Sequence, residues 1–158
     1  MRNVMIAGLL GGLLGGVVSY TAGRLAPARS PAASIPNAEA KAIPEGLMAK
    51  LKANDMDGFA TAARGNMYTI PDTEFAAFKT ALTEFRQRTT TAFGKSLGEC
   101  ELIREQSAGP DVARMIYLEK FEKGGVAWYF QLYRGSDGWK LASVNWDHTL
   151  NFAFAGAP

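Results

Sequence analysis

Residues Ala113–Tyr133 read ARMIYLEKFEKGGVAWYFQLY, the densest run of aromatic and β-branched side chains in the chain. Such a run favours β-structure. The pair Gly124-Gly125 in its middle is typical of a two-residue hairpin loop, where the backbone needs a positive φ. That loop would pair Glu119 with Phe130. The stretch therefore predicts a central antiparallel hairpin.

Alternation along this hairpin predicts which side chains share a face, because successive strand residues point to opposite sides of a sheet. One face is apolar apart from one glutamate, and we expect helices to cover it. Its predicted members are Met115, Tyr117, Glu119, Phe121, Val126, Trp128, Phe130 and Leu132. A β-bulge would break the alternation beyond it. If Gly135–Gly138 is a four-residue loop, the last strand adds Trp139, Leu141, Ser143, Asn145 and Asp147.

Helical periodicity precedes the strands. Apolar residues recur at three and four positions after Pro44, Asp55 is a candidate N-cap, and a phenylalanine stripe runs from Pro71 to Gly94. The charged residues assigned to the solvent face of that last helix are Lys79, Glu84, Arg86 and Arg88. With four consecutive antiparallel strands beyond Glu99, the pattern predicts an α+β domain, with N-terminal helices packed on a curved four-stranded antiparallel sheet.

The N-terminal segment predicts a membrane anchor. Between Arg2 and Arg24 the chain is uncharged, and roughly 20 helical residues at 1.5 Å each can span a hydrocarbon core of about 30 Å. Residues 1–24 therefore read as a signal-anchor helix, or as a signal peptide cleaved near Ala26-Pro27-Ala28. We favour the anchor, with the domain on the periplasmic side of the inner membrane. If the segment is cleaved, the domain is periplasmic or secreted.

Glycines spaced by four in that segment, Gly8, Gly12 and Gly16, would also let two such helices approach closely. Residues 25–36 form a Pro/Ala-rich linker, and residues 37–158 form the α+β domain. The sequence thus divides into an anchor, a spacer and one domain.

Charge and composition exclude several functions. The net charge is +2, and three arginines precede Ile35, so the domain itself is close to neutral and nucleic acid is a poor partner. Cys100 is the only cysteine, which rules out an internal disulfide and a cysteine-based zinc site. His148 is the only histidine, so we expect no metal site and no cofactor.

The opening helices at Leu47–Ala63 and the strand that begins Gly138-Trp139-Lys140-Leu141 resemble the nuclear-transport-factor-2-like superfamily, the SnoaL and ketosteroid-isomerase group. The resemblance implies a cone-shaped domain with a pocket between helices and sheet. A membrane-anchored bacterial member would be expected. The superfamily hosts enzymes, binding proteins and assembly modules alike, so the resemblance leaves the function open.

One hypothesis is catalytic. On the predicted covered face, a pocket formed by Tyr117, Glu119, Trp128, Ser143 and Asn145 would bind a small apolar ligand. Glu119 or Asp147 could then act as the general base of an isomerase, dehydratase or hydrolase. The alternative is structural: Glu119 flanks a strand end and extends its carboxylate to water, and Asp147 caps the exit of the last strand.

The other hypothesis is a non-catalytic module that binds a small apolar ligand or assembles. The second face of the predicted sheet is too apolar for a plain solvated surface, which is typical of an interface. We expect Tyr129, Tyr133 and Trp146 to contribute to a homodimer or to contact an envelope protein. Alternatively, the tail Asn151–Pro158 folds back over this face. The binding or assembly role is the interpretation we favour.

Overall fold

The computed structural model describes residues 38–154 of the chain, an α+β domain whose four strands form one antiparallel sheet in the order β1-β2-β3-β4. Its elements are α1 (Ala38–Lys52), α2 (Met56–Asn66), α3 (Asp72–Phe93), β1 (Ser96–Ser107), β2 (Val112–Phe121), β3 (Gly124–Gly135), β4 (Gly138–Asp147) and α4 (Asn151–Phe154). The predicted fold class, helices packed on a four-stranded antiparallel sheet, is confirmed.

The predicted anchor at 1–24 and linker at 25–36 lie outside the described residues. Within 38–154, none of the helices has the length and apolar character that crossing a bilayer requires.

Local sequence signals account for the helix boundaries. Asp55 caps α2 as predicted, because its Oδ1 accepts a hydrogen bond of 2.8 Å from the backbone N–H of Gly58. Gly94 ends α3 with a φ of 81°, a conformation that glycine adopts without strain, and its N–H bonds back to the carbonyl of Thr90. Only α1 begins earlier than predicted, since it runs from Ala38 through Pro44.

The β2–β3 hairpin turns two residues before the position that the glycines indicated. Glu122 and Lys123 form the turn, and Glu119 pairs with Val126 instead of Phe130. The partner is displaced by an even number of residues, so every side chain keeps its predicted face. All eight predicted members of the covered face are buried in the structure.

The two glycines serve packing instead of the turn. A Cβ on Gly124 would lie 2.8 Å from Cγ of Phe93, and one on Gly125 would lie 2.9 Å from Cδ1 of Leu118. Both distances are shorter than carbon atoms tolerate. Glycine is therefore favoured at 124, where the ring of Phe93 from α3 lies against the start of β3, whereas at 125 the near atom is the end of the flexible Leu118 side chain.

A β-bulge in β4 overturns the prediction for the last strand. Gln131 pairs with Ser143, but the next residue of β3, Leu132, pairs with Leu141, which leaves Ala142 as an extra residue. Beyond the bulge the two faces are exchanged. The side chains predicted to be covered, Ser143, Asn145 and Asp147, lie on the open side, and those predicted to be open, Val144 and Trp146, lie beneath the helices.

The bulge buries a large aromatic surface. Trp146 packs against the rings of Phe78, Phe85 and Trp128, with centroid distances of 6.0, 5.5 and 5.7 Å. Aromatic pairs at these distances stabilise a core beyond the area that they bury. The assignment of Trp146 to an outward interface is therefore wrong.

We call the sheet face beneath α1–α3 the inner face and the opposite one the outer face. Ile116 and Ala127 alternate toward the outer face, yet both are fully buried. The short helix α4 lies against β2, β3 and β4, so the C-terminal segment returns onto the sheet.

Candidate functional site

Glu119 is a fully buried carboxylate on the inner face, where Glu105 of β1, opposite Met115, is only half-buried. Its Oε1 accepts hydrogen bonds of 2.7 Å from Nη1 of Arg86 and 2.7 Å from Oγ of Ser96. Its Oε2 accepts a bond of 3.1 Å from Nε1 of Trp128. A buried carboxylate needs such hydrogen bonds and a counter-charge, because an unpaired charge in the core costs on the order of 3–5 kcal/mol.

Arg86 is the counter-charge, and 9% of its surface is exposed. Its Nη2 donates a bond of 2.9 Å to Oδ1 of Asn54, and its guanidinium carbon lies 5.0 Å from the ring centre of Phe121. The prediction that Arg86 lies on the solvent face of α3 is therefore wrong. Helical spacing contains the missed signal, since residue 86 is four positions beyond the buried Leu82 and three before the buried Thr89.

Five separate segments bring these groups together, and two of them are β2, with Glu119, and β3, with Trp128. Arg86 comes from the middle of α3, and Ser96 is the first residue of β1. Asn54 lies between α1 and α2 with a φ of 54°, in the left-handed region that asparagine tolerates better than most residues. The network therefore ties the helices to the sheet at one end of the domain.

These contacts bear on the catalytic hypothesis for Glu119. A general base must reach a substrate proton with a free oxygen lone pair. Here both oxygens accept hydrogen bonds, one of them charge-assisted. The neighbouring space is filled by Phe59 and Phe85, whose rings lie 5.2 and 6.2 Å from that of Trp128. Glu119 therefore serves the structure as the buried half of an ion pair, and the alternative in which its carboxylate extends to water is wrong.

An open cleft of about 490 Å³ lies beside the network on the helical side of the domain. It is lined by Asn54, Met56, Thr83, Arg86, Gln87, Thr90 and Thr91. Arg86 is the only charged member of this lining. A molecule in the cleft could therefore contact Arg86 but not its buried partner Glu119.

A second, smaller cleft of about 250 Å³ lies between the α2–α3 connection and the β3–β4 turn. Its lining is Met67, Tyr68, Thr69, Gly135, Ser136, Asp137, Gly138 and Lys140. Tyr68 is half exposed beside it and contacts the ring of Tyr133 at 6.5 Å.

The predicted ligand pocket is only partly assembled. Tyr117 and Trp128 join Glu119 on the inner face, as expected, and pair with each other across β2 and β3. Ser143 and Asn145 lie on the outer face, opposite Gln131 and Tyr129, so their predicted convergence on the pocket is wrong.

Tyr117 is a buried inner-face residue whose hydroxyl makes no hydrogen bond within residues 38–154. Burial raises its pKa to about 12, and the negative charges of Glu45 and Glu105 add to the rise. The hydroxyl therefore stays protonated at neutral pH.

Asp147 has the structural role that the sequence offered as the alternative. Its carboxylate accepts from the backbone N–H of Thr149 at 2.8 Å and of Asn151 at 2.6 Å. It caps the turn that leads from β4 into α4. The two candidate bases, Glu119 and Asp147, thus lie on opposite faces of the sheet.

Cys100 and His148 offer no nucleophile or metal site. Cys100 pairs with Glu119 across β1 and β2. Burial, followed by the negative charge of Glu119, raises the pKa of the Cys100 thiol to about 11, so the reactive thiolate is scarce at neutral pH. His148 is exposed at a strand end. In the part of the chain that the structure describes, no three His, Cys, Asp or Glu residues are grouped as metal ligands.

The outer face carries the other predicted contact residues. Tyr129 points away from the helices and lies under the guanidinium of Arg114, 5.1 Å from its ring centre. Tyr133 is 46% exposed. These two tyrosines are where the sequence placed them, unlike Trp146.

Comparisons with protein-family models, with curated proteins and with solved structures find no match for this chain. The resemblance to the nuclear-transport-factor-2-like superfamily therefore stays a prediction.

Proposed function

We propose that this chain is a membrane-tethered, extracytoplasmic domain of the nuclear-transport-factor-2-like type that acts by binding and self-assembly, without catalysis. The observation that carries the proposal is the complete burial of Glu119, the inner-face carboxylate that a catalytic pocket would use, together with the three hydrogen bonds that hold it. Abstracting a proton would neutralise the charge that pairs with Arg86 inside a closed core, which is energetically costly.

The inner face also offers little room for an apolar ligand. Phe59, Trp128 and Phe130 are fully buried there and fill the space between helices and sheet. Binding by this domain is therefore better served by its surface. Burying a ligand in the core would require these side chains to move apart.

We assign assembly to the outer face and to a second copy of the chain. The exposed large hydrophobic side chains are Tyr68, Leu97, Ile103, Tyr133 and Phe154. All but Tyr68 lie on strands of the sheet or on α4, and Tyr68 contacts Tyr133. Large apolar side chains exposed to solvent on a sheet are typical of an interface.

The charges on this side favour association between identical copies. Lys120 lies 3.4 Å from Glu99 and 3.6 Å from Glu101, so acidic and basic groups compensate each other within the face. Two such faces can meet without the like-charge repulsion that opposes many self-contacts. A tether that confines both copies to one membrane would raise their effective concentration and strengthen a weak contact.

Pairing along either free edge of the sheet, β1 or β4, is less favourable than stacking of faces, because both edge strands have irregular registers. β1 is an edge strand, and its register with β2 shifts between Ser96 and Cys100 and again between Leu102 and Arg104. Such irregularities bend an edge strand and hinder the addition of another strand. The proposed dimer therefore uses the open part of the outer face.

The test is native mass spectrometry of the full-length chain extracted in detergent. We expect a dimer that becomes a monomer in the double variant Leu97→Ser/Tyr133→Ser and persists in the control Ala81→Ser, which alters the exposed surface of α3. A wild-type monomer, or a dimer unaffected by the double variant, would overturn the proposed interface.

The same spectra test the tether. An intact N-terminus supports an anchor, whereas a mass that begins after Ala28 would overturn it and indicate a cleaved signal peptide. Gly12→Ile serves as a further control, since it blocks close packing of the glycine-spaced helix. A dimer lost only in Gly12→Ile would assign assembly to residues 1–24 instead of the sheet.

A further inference from the structure

The cleft beside Arg86 lies on the helical side of the domain, away from the proposed assembly face. We propose that this cleft binds a small uncharged molecule through a carbonyl oxygen, and that the buried Glu119 sets the preference for uncharged ligands. The inference goes beyond the assembly function and does not depend on it.

The base of the cleft presents hydrogen-bond donors. Arg86 is nine-tenths buried, and its bonds to Glu119 and Asn54 each use one N–H of a group that carries several more. Because a guanidinium has no acceptor, the oxygen of the Asn54 amide must face it. The amide nitrogen of Asn54 then points away from Arg86 with both of its donors.

The rim adds polar groups without charge. Thr90 contributes a hydroxyl and Gln87 a carboxamide. The hydroxyl of Thr91 is already used, because it donates a bond of 2.9 Å to the carbonyl of Gln87. Arg86 and the amide nitrogen of Asn54 therefore offer donors only, while Thr90 and Gln87 can donate as well as accept.

The electrostatic balance decides which acceptor fits. Glu119 lies 2.7 Å from Arg86 and is fully buried, so the positive charge beneath the cleft is already compensated. A carboxylate ligand would bring a second negative charge to the same guanidinium, with no further cation in the lining. A carbonyl oxygen satisfies the same donors without that repulsion.

Size and lining fit a small amphiphilic molecule. A volume of about 490 Å³ lies in the range of pockets that hold small ligands. Met56 supplies a polarisable apolar wall, and the methyl groups of Thr83 and Thr90 add to it. The ligand class is therefore an amide, ester or lactone with a short apolar chain.

The test uses two probes of the same shape, pentanamide and pentanoate, titrated into the full-length chain at neutral pH. Side-chain ¹⁵N resonances of Asn54 and Arg86 report binding by NMR. We expect both resonances to shift with pentanamide, with an affinity about tenfold higher than that for pentanoate. No shift with either probe, or tighter binding of pentanoate, would overturn the proposal.

Variants of the rim separate specific from unspecific binding. Asn54→Asp keeps an acceptor for Arg86 but replaces the amide donors by a carboxylate, and we expect pentanamide affinity to fall about tenfold. Thr90→Val should weaken binding, whereas the matched Thr91→Val should leave it unchanged because that hydroxyl already bonds the backbone. Equal affinity in all these variants would overturn the assignment.

Glu119→Gln tests the preference itself. The variant retains an acceptor for Arg86 but removes the compensating charge, so we expect the order of affinity to reverse in favour of pentanoate. A folded Glu119→Gln protein that still prefers pentanamide would overturn the role of Glu119. If that variant does not fold, the wild-type comparison of pentanamide with pentanoate decides the outcome.

Discussion

The two hairpins that share β3 differ in how their registers depart from simple alternation. In the β2–β3 hairpin the turn moves, yet each residue of β2 still faces the side that its position predicts. In the β3–β4 hairpin one extra residue, Ala142, exchanges the faces of everything after it. The wrong prediction of the first turn leaves every side chain of β2 on its predicted face. The bulge in the second hairpin, in contrast, places Trp146 on the inner face.

The difference follows from the two-residue period of a strand. An even displacement leaves the covered face covered, and a single inserted residue reverses it. A register error by an even number of residues therefore leaves the predicted face of each side chain correct, and an error by an odd number reverses it. The sharpest experiments compare residues on β2 with residues on β4 whose faces the bulge decides.

The largest effect on stability is expected at Glu119, the one charged residue of β2 that lies on the inner face. Arg86→Met would leave Glu119 buried without its counter-charge, and we expect the free energy of unfolding to fall by about 3–5 kcal/mol. Urea denaturation followed by circular dichroism measures it. The double variant Arg86→Met/Glu119→Leu should recover most of the loss, and simple additivity of the two changes would contradict the pairing.

Next in size is the test of the bulge on β4. Trp146→Ala removes an aromatic ring packed under the helices and should cost about 3 kcal/mol of stability. The neighbouring Asn145→Ala changes an exposed outer-face residue and should stay within about 0.5 kcal/mol of wild type. Thermal unfolding of both proteins measures the two effects. A larger loss of stability in Asn145→Ala than in Trp146→Ala would contradict the bulge.

A smaller loss is expected in the β2–β3 hairpin. Gly124→Ala places a methyl group against the ring of Phe93 and should destabilise the domain by about 1–3 kcal/mol. The matched control is Gly65→Ala in α2, where nothing lies within 4 Å of the added Cβ. That change should stabilise by about 0.5–1 kcal/mol through helix propensity. Denaturant midpoints compare the two, and equal effects would contradict the close contact at Gly124.

The smallest effect is an alkaline loss of stability. Cys100 on β1 and Tyr117 on β2 have folded-state pKa values of about 11 and about 12, above their ordinary values of 9.0 and 10.0. Above pH 9 the unfolded thiol releases a proton that the folded protein retains. Stability must therefore fall with rising pH, from about pH 9 to 11 for the thiol.

Denaturation curves between pH 7 and 11 measure this loss. Cys100→Ala should flatten the decline, because it removes the first group to titrate. A stability that rises over this range, or a decline unchanged by Cys100→Ala, would contradict the buried thiol. Below pH 9 the two proteins should show parallel pH profiles.

Much of the fold could be predicted from the sequence. Asp55 and Gly94 mark helix ends by local chemistry, and the alternation on β2 and β3 identifies the inner face. These features depend on neighbours along the chain. The bulge at Ala142 could not be predicted in this way, because it depends on where Trp146 finds aromatic partners from α3.

Only part of the candidate site could be predicted from the sequence. Glu119 stands out as the one charge on a predicted apolar face, which suggests that it needs a cation. Arg86 was read by its charge as a solvent-face residue, although its helical position lies beside Phe85 on the buried stripe. Asn54 joins them only through a left-handed backbone conformation between two helices, for which the sequence gives no more than a weak signal.

The most direct test of assembly through the outer face is hydroxyl-radical footprinting of the full-length chain at low and high protein concentration. We predict that Leu97 and Tyr133 are oxidised at low concentration and protected at high concentration, while Trp146 changes little because the inner face encloses it. Equal oxidation of Leu97 and Tyr133 at both concentrations would contradict the proposed interface and the function built on it.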